Sequence, residues 1–599
     1  MIMPPTAVKR PFNQTQSSDI VSEPIQGTAI VVIHPGSQYL RIGRASDTFP
    51  QTVPHCIARR HKSSGQKNYE DPLVLRRERQ HADIKSQEKI GIRQAEDAIK
   101  LRPTIDGSPR IPTSFKQLAS HNSSVQAIQS DVLSQVKWTA TEYKPEYLVG
   151  EEALYVKPSD QYDLHWPLRR GCFNIHEGHN GTPTSVIQDM EHIWGHVISN
   201  LLDIPLKDLR HYRAVLLIPD IYNRDDVSKL MTLLLERLGF GAAIFHQESV
   251  CAIFGAGVPS ACVVDVGAQK TSVCCVDDGL SQRNSRVTME YGGCDIDWAF
   301  HRLLQMSAFP YKECRLGNRL DALMMQELKE SHCHMDQNTQ GVLDATIHVK
   351  QPSKKITKYS VKFGDERILA PMGLFYPDMF GIQGKNLKRV HQRNQGQSSD
   401  PLDENYLIQT QSKQEQSAKL VAARKKAEQA NQNASETPGG ELEDSRLDAM
   451  DEDSNEATDS QDISIAGNKT LAEENEKDDT SALLGLDDAI LWSIDRCSSD
   501  EMKKKMYSCI VVVGGGLNFE GSQAWLQYRI WTKMPAHYRI QLETMDVITK
   551  AKDMEPQLTC WKGATIMCCC DTAHELWIKR REWEKDGVKV LRERTPFVW

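Results

Sequence analysis

Two stretches far apart in the chain carry the same order of apolar and polar positions. Residues 261–264 form a short apolar run, Asp265-Val266-Gly267 interrupts it with a turn, and residues 271–276 form a second run. Upstream, residues 30–33, the turn His34-Pro35-Gly36-Ser37 and residues 39–43 repeat that order. Short apolar runs bounded by glycine read as buried strands, so each stretch predicts a hairpin. Glycine in such a turn lets backbone N–H groups approach an anion without a side chain in the way. An aspartate ending a buried strand is costly unless it is paired, solvated or beside a cation. Together these features suggest a phosphate cradle next to a metal ion. One strand–turn–strand unit is an ordinary hairpin; two in one chain suggest two similar lobes facing one ligand.

The remaining pattern alternates strand and helix. Residues 214–218 are fully apolar and stopped by Pro219, which predicts a buried central strand. Helices are predicted over 186–202, 227–238, 294–305 and 322–333, with a strand running into a helix over 245–255. Residues 363–367 read as a hairpin turn. Leu486, Ile490 and Ile494 share one helix face. Residues 509–513 form a buried strand ending in Gly514-Gly515-Gly516, ahead of a helix over 522–531, a geometry that brings backbone close to an anionic or planar ligand. The alternation favours an α/β layered fold.

Three segments break the pattern. Residues 1–27 read as a disordered polar tail. The region from about 61 to 137 is charged and weakly periodic, with a short helix near 90–101, and reads as an insertion without a core of its own. Residues 384–481 are dominated by Gln, Asn, Ser, Glu and Asp and read as a long disordered acidic insertion.

At 599 residues the chain is too long for one core. No apolar run reaches the roughly 20 residues of a membrane span, and the N-terminus lacks an apolar signal region, so a membrane partner is not expected. The 15 cysteines include no Cys-x-x-Cys pair, and Cys274-Cys275 and Cys568-Cys569-Cys570 lie in apolar runs, which fits a reducing compartment. His332-Cys333-His334 lacks a partner cluster and is not read as a metal site. The formal net charge of −8 hides an asymmetry, because residues 434–480 alone carry 16 acidic and three basic residues, leaving the remainder at +5. Residues 59–110 hold 13 basic and eight acidic residues. Arg59, Arg60, Lys62, Arg76, Arg77 and Arg79 cluster there as a strip able to track DNA phosphates without reading bases.

The blocks at 30–44, 147–153, 262–279, 513–516 and 561–564, with 575–578 and 580–582 behind them, resemble the actin family in order and spacing. The resemblance implies an actin-like ATPase fold, two similar lobes around a nucleotide cleft, with two long insertions. Lobe I would take 28–260, lobe II 261–383 and 482–554, and 555–599 would return to lobe I. Carried over by position, it implies that Gly36 and Ser37 touch phosphate, that Arg41 replaces a phosphate-contacting lysine, and that Asp265 and Gly267 hold the second phosphate turn. Gly293, Lys329 and Glu330 would lie near the nucleoside, and Gly515 and Gly516 would line the adenosine pocket. The cofactor implied is ATP or ADP with Mg2+, served by Asp265.

The departures from the family matter as much. His34 stands where an aspartate helps hold the metal's water shell, and Ala268-Gln269 replace Asp-Gly. Glu248 stands at the water-orienting glutamine with Gln247 beside it, Gln557 replaces a base-packing lysine, and Glu520 a tyrosine against the adenine. Such changes reduce hydrolysis more than binding, so no catalytic residue is assigned. The insertions and the Phe-Val-Trp terminus resemble the nuclear actin-related subunits of the Ino-eighty chromatin-remodelling complex. That likeness implies actin, other actin-related proteins, nucleosomes, histones and duplex DNA as partners, and roles in transcription regulation, DNA repair and recombination. A sugar-kinase-like phosphotransferase and a filament-forming actin are the competing readings.

Overall fold

Both predicted hairpins form in the computed structural model, which describes residues 26–61, 70–74, 82–102, 104, 107–178, 180–382, 387–391, 483–570 and 574–597. Each lies inside its own sheet, flanked by further strands on both sides. In the first, Ile30–Pro35 pairs antiparallel with Tyr39–Arg44 and parallel with Arg213–Ile218, which pairs parallel with Ala242–Gln247. In the second, Ser260–Val266 pairs antiparallel with Thr271–Asp277 and parallel with Cys509–Val513, itself parallel to Asp546–Ile548. One construction, a hairpin joined to two parallel strands, is therefore built twice. Ile30, Val31, Val32 and Ile33 are all fully buried, as are Ala214, Val215 and Leu216. Strands covered on both faces lose the polar alternation of a half-exposed sheet, which is why these runs are uniformly apolar.

Between the sheets run two crossed helices, Glu248–Ala256 and Thr559–Met567. They touch through glycine. A Cβ on Gly563 would lie 1.7 Å from the Cys251 carbonyl oxygen, and one on Gly255 would lie 2.1 Å from that of Thr559. Trp561 is fully buried and donates from Nε1 to the Val32 carbonyl at 3.1 Å. Ile30, Val32, Ala261, Val263, Val511 and Val513 pack with this helix pair in one core, so the pair joins the two sheets. Ile578–Lys579 pairs with the Ala242–Gln247 strand and returns the chain to the first sheet. No helix among the described residues is long and apolar enough to cross a membrane.

Several expectations need correction. The described part of the region from 61 to 137, expected as an insertion of lobe I, packs into the core of lobe II. Its helix spans Ala82–Leu101, with Ala95 and Ile99 buried, and packs on the turn Pro377–Phe380. Gly91 permits the approach: a Cβ there would lie 2.6 Å from the Met379 nitrogen. Arg110, 4% exposed, pairs with Asp365 at 2.9 Å, and Asn122 bonds to the backbone of Ser307 and Lys362. Ile128–Leu133 then adds a third strand to the hairpin of Leu343–Val349 and Lys355–Phe363. A segment expected on lobe I thus docks on lobe II, because its few apolar residues find partners there rather than among themselves.

The predicted turn at 363–367 is instead the end of a strand followed by the helix Glu366–Met372. Residues 387–391 do not belong to a disordered insertion: Lys388–Val390 pairs with Val287–Met289 at the edge of the second sheet. The rest of that insertion, 384–386 and 392–481, and the tail 1–25 lie outside the described residues. Cys274, Cys275 and Cys568 are buried as expected, but Cys569 and Cys570 are exposed. The helix predicted over 227–238 starts at Arg224 and widens into a π turn at Leu233–Arg237.

Candidate functional site

Three glycine turns meet where the two sheets face one another. The Gly267 carbonyl accepts from Gly293 N at 2.9 Å, Ala268 accepts from Cys294 N at 2.7 Å, and Val266 accepts from Gly516 N at 2.7 Å. No side chain larger than hydrogen fits at the crossings. A Cβ would lie 2.6 Å from the Gly267 oxygen if placed on either Gly292 or Gly516, and 2.3 Å from the Val266 oxygen if placed on Gly514, whose φ is +84°. Gly515 faces Gln557. Lys329, 8% exposed, donates to the Gly293 carbonyl at 3.0 Å and pairs with Asp297, tying the third turn to the helix Arg319–His332. The result is a backbone-lined cradle closed by buried charge.

The first hairpin faces this cradle and is braced from behind. Gly36 N donates to the Tyr39 carbonyl at 2.9 Å, closing the turn. His55 is fully buried, with Nδ1 2.8 Å from the Gly36 carbonyl and Nε2 accepting from Trp194 Nε1 at 3.2 Å. That arrangement requires the proton on Nδ1, and burial pushes the imidazole pKa down to about 4, so the ring is neutral. Gln38 donates across to Gln326 on the second lobe at 2.6 Å. Ser37 Oγ accepts from Gly171 N at 3.4 Å.

Five charged or titratable side chains crowd the space between the hairpins. Glu248, the first residue of its helix, accepts from Lys270 Nζ, and His34 Nε2 lies 3.4 Å from its other oxygen. Burial pushes the Glu248 carboxyl up, but the Lys270 ammonium and His34 outweigh it and hold the pKa at about 2. Asp265 lies 3.8 Å from Lys270, a weaker pairing, and burial pushes its carboxyl up to about 7. Burial likewise lowers His34 and Arg41 from their ordinary values. Arg41 Nε and His34 Nδ1 are buried without a hydrogen-bond partner. The unsatisfied Arg41 donor, buried beside the glycine turns, is what an oligophosphate would satisfy, so the residues fit a nucleotide.

They do not fit a protein-held divalent cation. Magnesium asks for hard oxygen ligands in octahedral array, whereas Glu248 is engaged, Asp265 shares the ammonium, and His34 stands in the first hairpin. A cavity of about 530 Å³ is lined by Gly36, Ser37, Glu248 and Lys270 but not by Gly515, Gly516 or Lys329.

Of the predicted residues, Gly36, Ser37, Arg41, Asp265, Gly267, Gly293, Lys329, Gly515 and Gly516 surround the cradle. Glu330 accepts from Gln326, the residue that meets Gln38 of the first hairpin. Lys270 is the residue that sequence reasoning missed; its one signal is a lysine entering an otherwise apolar buried strand. Arg59 forms an ion pair with the buried Asp189, whereas Arg60 is exposed and spends one donor on the Lys144 carbonyl at 2.6 Å. Lys62, Arg76, Arg77 and Arg79 lie outside the described residues. The His332 ring lies tilted against Phe363, and Cys333 is buried.

The family model named Actin matches residues 25–596. Actin-related protein 8 of Homo sapiens is 47% identical over 592 residues, spanning 96% of this chain and 93% of that protein. The same-named protein of Aedes aegypti is 36% identical over 583 residues, spanning 96% of this chain and 99% of its own length. A solved structure described as human actin-related protein Arp8 in its ATP-bound state aligns with a TM-score of 0.80 and 43% identity, covering 96% of this chain and 98% of that one.

Proposed function

The chain belongs to the actin family, and from that premise we propose that it binds ATP or ADP as a structural subunit of a nuclear chromatin-remodelling assembly, without turning the nucleotide over. The observation that carries the nucleotide reading is the meeting of three glycine turns beside the unpartnered Arg41 Nε. The likeness to a protein described in an ATP-bound state supports it. Lack of turnover follows from Glu248. Hydrolysis needs a group that orients water in the transition state, and this carboxylate is held by Lys270 and His34. The test is direct. Purified full-length protein should retain stoichiometric ATP or ADP when denatured and its nucleotide separated, should show no single-turnover hydrolysis at an actin-like rate, and should not pellet as polymer. Loss of bound nucleotide contradicts the first claim, and turnover the second.

The nuclear role, the actin, actin-related and histone partners, and the DNA contact rest on the likeness to actin-related protein 8 and on the basic strip. Because Arg59 is committed to Asp189, the strip is narrowed to Arg60, Lys62, Arg76, Arg77 and Arg79. Replacing these five with Ser should weaken duplex binding and flatten the salt dependence by about 0.9 for each phosphate left without a neutralising cation. An unchanged slope removes this strip as the DNA-binding surface.

A further inference from the structure

Lys270 directly precedes the return strand Thr271–Asp277 of the second hairpin, and its carbonyl closes the turn by accepting from Gly267 N at 2.9 Å. The side chain doubles back over that turn. Its ammonium meets Glu248 from the helix between the sheets and Asp265 from the hairpin's own outgoing strand. The stem is fenced by Gly171, where φ is +73° and a Cβ would lie 2.8 Å from Lys270 Cδ, so a bulkier residue would push the lysine away. Lys270 is 9% exposed, and it lines the cavity it shares with Gly36 and Ser37. The positive charge is therefore fixed in place rather than sampled by a surface side chain.

A polyphosphate in the glycine cradle needs counter-charge, and a lysine supplies it as a point charge without a required geometry. A divalent ion in the same space would be repelled by the ammonium and by Arg41 and would find both nearby carboxylates already near Lys270. We propose that Lys270 is the resident counter-ion of this site, so that the protein binds the polyphosphate of ATP or ADP without holding a divalent cation. The proposal rests on the nucleotide-binding reading above. It makes Lys270 a binding residue, with Gly171 the position that keeps it in register.

The test uses the full chain stripped of nucleotide and titrated with ATP, once in excess EDTA and once in excess magnesium. The wild-type affinity should agree within about threefold between the two, whereas Lys270→Gln should lose at least about tenfold in EDTA. Lys270→Arg should keep EDTA binding, which separates loss of charge from loss of fold. A second readout needs no variant. The protein–ATP complex, freed of unbound nucleotide and exposed to Mn2+, should carry far less than one equivalent of the ion by electron paramagnetic resonance. Binding that collapses in EDTA, or one bound Mn2+ per ATP, overturns the proposal while leaving nucleotide binding intact. No ATP binding in either buffer overturns the nucleotide reading itself.

Discussion

The two hairpins share a backbone and differ in what they place at the turn. The first presents His34-Pro35-Gly36-Ser37, braced from behind by the neutral His55 and by Trp194. The second presents Asp265 and Lys270, braced by backbone bonds from Gly293, Cys294 and Gly516. The first hairpin has no carboxylate of its own and takes Glu248 from the neighbouring helix, which Lys270 of the second hairpin also claims. Backbone geometry has been kept in both copies, while the charge has been redistributed between them. The cradle that binds and the charges that act are separable layers of the same site.

That separation can be broken most severely at Glu248. Glu248→Gln leaves Lys270 buried without its main partner, so the nucleotide-free protein should lose about 4 kcal/mol in denaturant unfolding. An unchanged midpoint would mean that the two hairpins are not coupled through this residue. Next comes the backbone layer. Gly514→Ala forces a side chain into a φ of +84° and against the Val266 oxygen, and should cost about 3 kcal/mol together with most nucleotide binding.

The carboxylates should also have opposite pH signatures. Glu248 is held at about 2, below its ordinary 4.5, so its contribution is present above about 4.5 and lost as pH falls through about 2. Asp265 is raised to about 7 from 3.8, so the folded state binds the extra proton and stability falls as pH rises from about 4 to 7. Thermal melts of the nucleotide-free protein should show that decline in the wild type and lose it in Asp265→Asn. If the decline persists in the variant, another group is responsible. The smallest effect lies in the first hairpin's brace. Trp194→Phe removes one buried donor to His55 and should cost about 1 kcal/mol in the same unfolding assay, with no change in the metal independence of ATP binding.

Much of this arrangement was legible in the sequence because it is local. The hairpins, the strand ending at Pro219, the Gly514-Gly515-Gly516 turn and the face made by Leu486, Ile490 and Ile494, all buried, are periodic or punctuated patterns that short-range rules detect. What escaped is non-local. Arg59 reads as surface charge until Asp189, 130 residues on, is placed beside it. Lys270 is one lysine at a strand entry, and only the approach of Glu248 gives it meaning. The helix Ala82–Leu101 has too few apolar positions to announce a core, since the surface it covers is supplied by Pro377–Phe380. Glu366 lies at a strand-to-helix junction where hydrophobic pattern alone does not decide between turn and helix.

The docking of residues 82–133 on the second lobe also constrains how the protein is made. Arg110 waits for Asp365 across 255 residues, and the strand Lys355–Phe363 takes its second neighbour from Ile128–Leu133. During synthesis the early segment emerges long before the surface it belongs to, and pairings of such sequence separation form slowly. The second lobe cannot be finished from its own stretch of chain, so the two halves mature together, and a fragment beginning after residue 133 should fold with an open sheet edge.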